Sequence, residues 1–370
     1  MSDDLGKDVS ELGFGLMRLP RKGLRTDIEQ VKQMVDMFME AGCTYFDTAY
    51  VYPGSEAAAK KALVDRYPRD SYTLATKINA MMTLNEKSAK QQFFTSLERT
   101  GAGHFDFYLL HALMDGNYAK YDRYHLWDFA REQKAKGLIK HLGFSFHGGP
   151  RVLDQLLSEH PEVEFVQLQI NYRDWENPSV ASRANYEVAR KHGTPIVVME
   201  PVKGGTLANP PAQVRELLQG HHPDMSPASW AIRFAASLDG ILTVLSGMSS
   251  VAQMKDNLSY MKDFRPLDEA EQKIIQQAQR ILGKSSTIPC TVCHYCTEGC
   301  PKKIAIPEMF TAMNKQLGNG QLQEAAADYR NAAGLGGRAS DCIGCGKCEQ
   351  VCPQHLSIRK YLKDVAKELE

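Results

Sequence analysis

Eight of the nine cysteines in this sequence of 370 residues lie between Cys290 and Cys352, and only Cys43 stands apart from them. They form two runs of identical spacing, each followed by a proline: Cys290-x2-Cys293-x2-Cys296-x3-Cys300-Pro301 and Cys342-x2-Cys345-x2-Cys348-x3-Cys352-Pro353. Thiols stay reduced inside cells, so such a dense set indicates metal ligation rather than disulfide bonds. Cys43 is expected to pack as a small side chain before a strand.

The spacing of both runs resembles that of ferredoxins with two 4Fe–4S clusters, in which the last cysteine of each run binds the cluster of the other run. The resemblance implies two ligand sets: Cys290, Cys293, Cys296 and Cys352 for one cluster, and Cys342, Cys345, Cys348 and Cys300 for the other. Two structural zinc sites are the alternative, although zinc does not need the Cys-x3-Cys-Pro ending. The long connection between the runs has room for helices at 307–316 and 321–333. We therefore expect a mostly helical ferredoxin-like domain.

Nearer the N-terminus, four short apolar segments end in polar residues: Asp47, Lys77, His111 and Ser145. Gln167 lies within another such segment, and Tyr52 follows Asp47 by five residues. In a parallel barrel the carboxyl ends of the strands meet at one mouth, where the active sites of such barrels lie. The pattern thus predicts that these groups face one pocket. A structural ion pair between Asp47 and Lys77, and a buried core role for His111, are the alternatives.

Eight apolar segments supply the strands that would position these residues: Gly13–Leu16, Thr44–Asp47, Thr73–Thr76, Asp106–Leu110, His141–Ser145, Phe165–Gln169, Pro195–Met199 and Leu242–Leu245. They are apolar almost throughout, as parallel strands buried on both faces are. Helical patterns lie between them, so we predict an α/β fold, a (β/α)8 barrel of the TIM type. An open doubly wound sheet is the alternative, but its typical Gly-x-Gly-x-x-Gly turn is missing from the sequence.

The chain length and composition limit the possible organisation and partners. A small polar stretch, Gly283–Ser286, separates the barrel pattern from the cysteines, so we expect a barrel over residues 1–282 and a ferredoxin-type domain over residues 283–370. Basic and acidic residues number 44 each, which favours neither nucleic acid nor a membrane surface as a partner. The first residues lack a signal-peptide pattern, and no apolar run approaches the ~18 residues of a membrane span. A cytoplasmic protein is expected.

The barrel segments resemble the aldo-keto reductase family in order and interval over residues 10–282: LGFGLMRLP at Leu12–Pro20, YFDTAYVYPGSE at Tyr45–Glu56, LATK at Leu74–Lys77, DFYLLH at Asp106–His111 and LGFS at Leu142–Ser145. The resemblance implies hydride transfer between NADP or NAD and a small carbonyl or alcohol substrate. It implies four catalytic residues: Asp47, Tyr52, Lys77 and His111. Tyr50 is the rival proton donor, but its spacing from Asp47 differs from that of the family.

The implied reaction explains these residue types. A carbonyl oxygen that gains charge must be protonated, but a tyrosine has a pKa of about 10, which is too high for easy donation at neutral pH. A lysine ammonium beside the phenol favours the phenolate and so lowers that pKa. Asp47 would keep Lys77 charged and in place, and His111 would donate to the carbonyl oxygen and orient it. Tyr52 would be the general acid in reduction and the base in oxidation.

The same resemblance implies ten positions that contact the nicotinamide cofactor: Gly15, Met17, Arg18, Ser145, Gln167, Met199, Gly247, Ser249, Gln253 and Asn257. Phe146 stands where the family usually has an asparagine, and Met199 stands where it usually has a stacking aromatic residue. Many relatives carry a lysine and an arginine for the ribose 2′-phosphate where this chain has Gly247 and Gln253. Without these cations we expect a weaker preference for NADP(H). Ser249 and the helix N-terminus that follows can still receive a phosphate.

Electron transfer between a nicotinamide and iron–sulfur clusters requires a step that converts two-electron into one-electron transfer. A nicotinamide transfers two electrons as hydride and each cluster transfers one, so their coupling ordinarily needs a flavin or a substrate radical. The sequence has no short flavin motif, although barrels bind flavin without one. We expect an oxidoreductase whose clusters exchange electrons with a redox partner protein. An electron-transfer subunit and a redox sensor, each using the barrel as a docking scaffold, are the alternatives. One aromatic set indicates either a planar or apolar substrate or merely packed loops: Tyr118, Tyr121, Tyr124, Trp127 and Trp175.

Overall fold

The computed structural model describes residues 5–7, 9–23 and 25–370. Ten strands follow one another along the chain: β1 (Leu12–Gly15), β2 (Arg21–Lys22), β3 (Arg25–Thr26), β4 (Tyr45–Asp47), β5 (Thr73–Ile78), β6 (Phe105–Leu113), β7 (Ile139–Phe146), β8 (Phe165–Gln169), β9 (Ile196–Met199) and β10 (Ile241–Ser246). Eight of them close into a parallel barrel in the order β1-β10-β9-β8-β7-β6-β5-β4, and β2 pairs with β3 in a separate antiparallel hairpin. The closed sheet confirms the predicted barrel and excludes the open doubly wound alternative.

Sixteen α-helices belong to the described part of the chain: α1 (Ile28–Glu40), α2 (Ser55–Ala59), α3 (Glu86–Thr100), α4 (Tyr118–Arg123), α5 (Leu126–Ala135), α6 (Pro150–Glu159), α7 (Ser182–Lys191), α8 (Ala212–His221), α9 (Pro227–Ala236), α10 (Val251–Met261), α11 (Glu269–Leu282), α12 (Tyr295–Glu298), α13 (Ile306–Asn319), α14 (Leu322–Gly334), α15 (Lys347–Gln350) and α16 (Ile358–Leu369). A π-helical turn, Lys60–Val64, continues α2. Within the described ranges, every helix is too short or too polar to cross a membrane.

Aromatic and aliphatic side chains fill the interior of the barrel on the amino-terminal side of its strands. The Phe107 ring has its centroid 4.9 Å from that of Phe165 and 5.1 Å from that of Tyr45, and all three residues are buried. Buried Leu109 and Val197 belong to the same cluster. Because this plug fills the barrel below the strand ends, the polar side chains that end the strands face the carboxyl-terminal mouth.

Contacts divide the chain into two compact units. The first comprises the described residues of Met1–Asn177, Ala181–Pro201 and Ala228–Ala270, and the second comprises Pro178–Val180, Val202–Pro227 and Glu271–Glu370. The second unit therefore includes α8 and the segment that follows β9. Its core contains Met309, Phe310, Leu362 and Val365, contributed by α13 and α16. The functional boundary at residue 282 stays a prediction.

Candidate active site and metal centres

Lys77 and Asp47 form a buried ion pair at the carboxyl-terminal end of the barrel. The Lys77 Nζ donates to Asp47 Oδ1 at 2.6 Å, to Asp47 Oδ2 at 2.7 Å and to the Thr48 backbone oxygen at 2.8 Å. The strands β4 and β5 are neighbours, and their register pairs Asp47 with Ala75, two residues before Lys77. Gln167 on β8 donates through Nε2 to Asp47 Oδ2 at 3.4 Å. Side chains from three strands therefore converge on one carboxylate.

Tyr52 and His111 lie beside this ion pair. The Lys77 Nζ is 5.2 Å from the centroid of the Tyr52 ring. The rings of Tyr52 and His111 meet edge to face, with centroids 5.7 Å apart and planes at 82°. His111 is buried, whereas Tyr52 is half-buried. The structure thus brings all four sequence-predicted catalytic residues together, and the tyrosine is the member that remains accessible.

Burial and charge act in opposite directions on the ion pair. Burial raises the pKa of the Asp47 carboxyl, and the charge and hydrogen bonds of Lys77 oppose that shift. Burial likewise lowers the pKa of Lys77, and the charge and hydrogen bonds of Asp47 oppose it. Since both carboxylate oxygens accept short hydrogen bonds from the ammonium, we assign the charged form to both groups. Such a pair is stable only while both partners are present.

His111 is neutral in this environment. Burial lowers its pKa well below the ordinary value, and the nearby charges of Lys77 and His147 add to that shift. A neutral imidazole carries one N–H donor and one acceptor nitrogen. His111 can therefore donate a hydrogen bond to a substrate oxygen at physiological pH without carrying positive charge.

The backbone around His111 is irregular and is braced by two side chains. The register of β6 against β7 shifts between Leu110 and Leu113, and Ala112 has a φ of 57°, in the left-handed region. Ser145 Oγ accepts a hydrogen bond from the Ala112 N–H at 2.7 Å, and the Tyr121 hydroxyl donates to the His111 backbone oxygen. A bulge of this kind re-aims the side chain that it carries. The role of Tyr121 as a brace was missed in the sequence, where its spacing gives no sign of it.

Several side chains that the sequence left open have other contacts. Tyr50, the rival proton donor, has the Arg99 guanidinium 4.5 Å from its ring centroid. Tyr121 and Trp127 are buried, and Trp127 stacks on His160 with centroids 3.8 Å apart. These two aromatic residues support the packed-loop interpretation of the aromatic set.

The ends of β1 and β10 bring together four of the residues implied to contact the cofactor. A Cβ placed on Gly15 would lie 3.7 Å from the Gly247 Cα, and one placed on Gly247 would lie 3.8 Å from Arg18 Cδ. Ser249 Oγ donates to the Arg18 backbone oxygen at 2.6 Å. Ser250 caps the N-terminus of α10, where its side chain accepts from the Gln253 N–H. The two loops thus offer hydroxyls, a helix N-terminus and one guanidinium, groups that suit the phosphates of a dinucleotide.

The guanidinium of Arg18 is paired with a carboxylate. Arg18 Nη2 lies 3.3 Å from Glu200 Oε1, directly after β9. Glu200 has a φ of 56°, and its backbone oxygen accepts from Asn171 Nδ2 at 3.2 Å. A carboxylate beside the cation that approaches Gly247 disfavours an additional phosphate there. The expected weaker preference for NADP(H) stays a prediction.

Other residues implied to contact the cofactor are engaged within their own loop. Gln253 Oε1 accepts from the Ser249 N–H at 2.6 Å, and Asn257 Oδ1 accepts from the Ser246 hydroxyl at 2.6 Å. These bonds shape the loop between β10 and α10. Met17 and Met199 are half-buried at the ends of their strands.

The eight C-terminal cysteines line two separate cavities in the second unit. One cavity is lined by Cys290, Cys293, Cys296 and Cys352, and the other by Cys300, Cys342, Cys345 and Cys348. These are the two sets that the ferredoxin spacing implies. None of the nine cysteines, all within the described ranges, forms a disulfide. Cys43 is buried, and burial raises its pKa to about 11, so it is an unreactive thiol.

The two cysteine runs share one backbone design. Val292 and His294, on either side of Cys293, have φ values of 53° and 64°. Gly344 and Gly346, on either side of Cys345, have φ values of 71° and 75°. Glycine adopts this conformation at little cost, whereas a β-branched valine is a true outlier there. Both runs therefore form the same loop, but the first run forms it with strained residues and the second forms it with glycines.

The donor set suits iron–sulfur clusters better than zinc. In the part of the chain that the structure describes, no three His, Cys, Asp or Glu side chains converge closely enough to hold a single metal ion. Burial, followed by repulsion from the Cys293 and Cys290 thiolates, raises the pKa of Cys296. Four thiolates can share such a cavity only when a cation compensates their charge. A cubane with several iron atoms supplies it over a larger volume than one zinc ion.

Two family models match the chain. Residues 11–280 match the model of the aldo/keto reductase family, and residues 289–356 match that of a 4Fe-4S dicluster domain. Among curated relatives, an aldo-keto reductase of Strobilurus tenacellus is 30% identical over 213 residues, which cover 54% of this chain and 60% of that protein. An aldo-keto reductase of Mycolicibacterium vanbaalenii is 29% identical over 262 residues, which cover 70% of this chain and 84% of that protein. Both resemblances found in the sequence are confirmed.

Solved structures show the same barrel. The holo form of a Bacillus halodurans aldo-keto reductase superposes with a TM-score of 0.60 at 26% identity, covering 74% of this chain and 94% of that one. An aldo/keto reductase of Klebsiella pneumoniae, solved with NADP and acetate, superposes with a TM-score of 0.58 at 17% identity, covering 74% of this chain and 92% of that one. At the lower identity the likeness concerns the fold.

Proposed function

Because this chain belongs to the aldo/keto reductase family, we propose that its barrel transfers hydride between a nicotinamide cofactor and a small carbonyl or alcohol substrate. The observation that carries the proposal is the Lys77 ammonium, which is fixed on both oxygens of Asp47 and lies 5.2 Å from the Tyr52 ring centroid. A structural ion pair would not need an accessible phenol at this distance. The cation instead points to a proton donor that it activates.

Each residue has a distinct part in the reaction. The nicotinamide, when bound, supplies or accepts the hydride. Tyr52 holds the proton that the substrate oxygen receives, and the Lys77 charge stabilises the phenolate that remains. Asp47 and the Thr48 backbone oxygen fix the ammonium in place. Neutral His111 donates to the substrate oxygen and orients it without competing with Tyr52 as the acid.

The cofactor would lie across the loops after β1, β9 and β10. Ser249 and the N-terminus of α10 would receive its phosphates beside the Arg18–Glu200 ion pair, and Ser145 and Gln167 would face its nicotinamide amide. Because Glu200 neutralises Arg18, we expect NADH to serve at least as well as NADPH. The cofactor type is measured directly by comparing initial rates with the two nucleotides.

The C-terminal cysteines would hold two 4Fe–4S clusters that exchange single electrons with a redox partner protein. The two cavities of four cysteines and the dicluster family model support this part. A bound flavin or a substrate radical would join the two-electron and one-electron steps. Iron, sulfide and flavin analysis of anaerobically purified protein tests the cluster and flavin content together.

The catalytic part is tested by NAD(P)H oxidation with a panel of small aldehydes and ketones. Tyr52→Phe removes the phenolic hydroxyl and keeps the ring, and general acid catalysis of this kind contributes roughly 100-fold or more to the rate. Tyr50→Phe is the matched control and should keep the wild-type rate. Equal rates for Tyr52→Phe and wild type would refute the proposed acid. Absent carbonyl reduction in the wild type, together with intact cluster reduction in Tyr52→Phe, would instead favour an electron-transfer subunit.

A further inference from the structure

Lys203 is a buried lysine in the second compact unit, in the segment that follows β9. Its side chain is 1% exposed, and its Nζ donates to Gln354 Oε1 at 2.9 Å. Gln354 is also buried and follows the Cys352-Pro353 pair directly. Lys203 thus reaches the end of the second cysteine run, although 151 residues separate the two partners in sequence.

The next residue makes an equally close contact with the first cysteine run. Gly204 has a φ of 63°, and a Cβ placed on it would lie 2.6 Å from the Thr291 backbone oxygen and 2.8 Å from the Thr291 Cα. Thr291 follows Cys290 in the first run. A side chain at position 204 would collide with that loop, so only glycine lets the two backbones approach.

Thr291 and Gln354 both line the cavity of Cys290, Cys293, Cys296 and Cys352, which we call the first cluster cavity. Lys203 and Gly204 therefore touch two walls of the same cavity. Lys203 also has a φ of 47°, a conformation that residues with a side chain adopt at a cost in free energy. The fold accepts that cost and places an amine on Gln354, two residues after Cys352.

We propose that the Lys203 ammonium raises the midpoint potential of the cluster in the first cluster cavity. A 4Fe–4S cluster with four thiolate ligands is an anion, and one-electron reduction makes it more negative. A positive charge buried next to it stabilises the reduced form more than the oxidised form, because attraction is strong where water is excluded. The anionic cluster in turn favours the charged form of the lysine.

The second cavity has a different electrostatic environment. Its charged lining residues are Lys302, Lys347 and Arg359, and all three are exposed. Water and salt screen exposed charges. Because Lys203 donates to a lining residue of the first cluster cavity, removal of its charge should change the potential of that cluster more than the potential of the other.

A redox titration of the anaerobic holoprotein tests the inference, which rests on the cluster part of the proposed function and not on carbonyl reduction. Clusters are reduced stepwise with dithionite and followed by electron paramagnetic resonance. In Lys203→Met, one midpoint potential should fall by at least about 59 mV, which is a tenfold decrease in the equilibrium constant for one-electron reduction. Lys203→Arg retains the positive charge and should keep the wild-type midpoint potential. Lys284→Met, which removes an exposed lysine of the same unit, should change neither potential.

The iron and sulfide content of each variant shows whether it still holds both clusters, and the titration is interpreted accordingly. Full cluster content with unchanged potentials in Lys203→Met overturns the inference while leaving the proposed cluster function intact. If Lys203→Met loses the cluster, Lys203→Gln replaces it, since the amide can still bond Gln354 but carries no charge. An unchanged potential in that variant also overturns the inference. A wild-type protein without iron would contradict the cluster function itself.

Discussion

Ser145 Oγ accepts a hydrogen bond from the Ala112 N–H at 2.7 Å, and this bond holds the backbone turn that follows His111. Ala112 lies in the left-handed region with a φ of 57°, so its geometry depends on such a partner. The serine hydroxyl has a hydrogen of its own to donate. Ser145 can therefore position His111 and keep its own hydrogen for the nicotinamide amide of the proposed function.

Replacing Ser145 with alanine should leave the buried Ala112 N–H without its acceptor. Loss of a partner for a buried donor costs about 1–3 kcal/mol, so the free energy of unfolding should fall by that amount. Ser145→Thr retains the oxygen and should stay near the wild type. Urea denaturation of the anaerobic proteins measures both. Equal stability of Ser145→Ala and wild type would show that the bond does not brace the turn.

Lys77→Met should destabilise the barrel as well as abolish carbonyl reduction. The substitution leaves the Asp47 carboxylate buried without its cation, which costs about 3–5 kcal/mol. The double variant Lys77→Met with Asp47→Asn removes both charges and should recover much of that stability without any activity. Urea midpoints and NADH oxidation rates, measured side by side, separate the two effects. Failure of the double variant to regain stability would contradict the charged pair.

Acid should weaken the fold through His111. Its folded pKa lies well below the ordinary value because of burial, so between that low value and about 6.5 the unfolded chain binds a proton that the native chain does not. The contribution of His111 to the free energy of unfolding is therefore complete above a pH of about 6.5. It falls as the pH decreases, by up to about 1.4 kcal/mol per pH unit. His111→Gln should lose this component. Identical pH dependence of unfolding in the two proteins between pH 5 and 7 would contradict it.

Glu200→Gln should shift the cofactor preference toward NADPH. The change releases the Arg18 guanidinium from its carboxylate partner, so a ribose phosphate can use it. We expect the ratio of kcat/KM for NADPH to that for NADH to rise about fivefold to tenfold, equivalent to about 1 kcal/mol. Glu176→Gln breaks an exposed ion pair with Arg183 and is the matched control. A ratio that changes equally in both variants would mean that Arg18 is not involved.

The paired cysteine loops should respond in opposite ways to substitution. Gly344→Val forces a β-branched residue to a φ of 71° and should destabilise the iron–sulfur unit by about 1–2 kcal/mol. Val292→Gly relieves the corresponding strain in the first run and should keep or raise stability. The rate of cluster loss under a ferrous chelator, followed by visible absorbance, reports both. Faster loss in Val292→Gly would contradict the strain seen at that position.

The barrel was predictable because its strands are buried on both faces. Every residue of β5 and β6 is buried, so their apolar runs are visible in the sequence. The strand ends were less visible, because β5 and β6 continue past Lys77 and His111 to Ile78 and Leu113. The last helix, α16, was missed although its buried Ile358, Leu362, Val365 and Leu369 recur at helical spacing. The short helices α4, α12 and α15 were missed because they have too few residues from which to read a period.

The candidate site was predictable as a set of residues but not as a network. Side chains at strand ends follow from the strand pattern, and the cysteine sets follow from the resemblance of their spacing to that of two-cluster ferredoxins. The bonds that support them join distant parts of the chain. The bond from Lys203 to Gln354 spans 151 positions, and neither residue belongs to a motif. Tertiary packing decides such contacts, and a single sequence does not encode them in any local pattern.

The exposure of Cys345 has a consequence for the durability of the protein in air. Cys345 is exposed, and Ile343 beside it is 60% exposed, whereas Cys296 and Cys352 of the other set are buried. Dioxygen and peroxide reach an exposed ligand before a buried one. Oxidation should therefore begin at the cluster of Cys300, Cys342, Cys345 and Cys348. In an aerated sample that cluster should be lost first, so that protein with only the cluster of Cys290, Cys293, Cys296 and Cys352 accumulates.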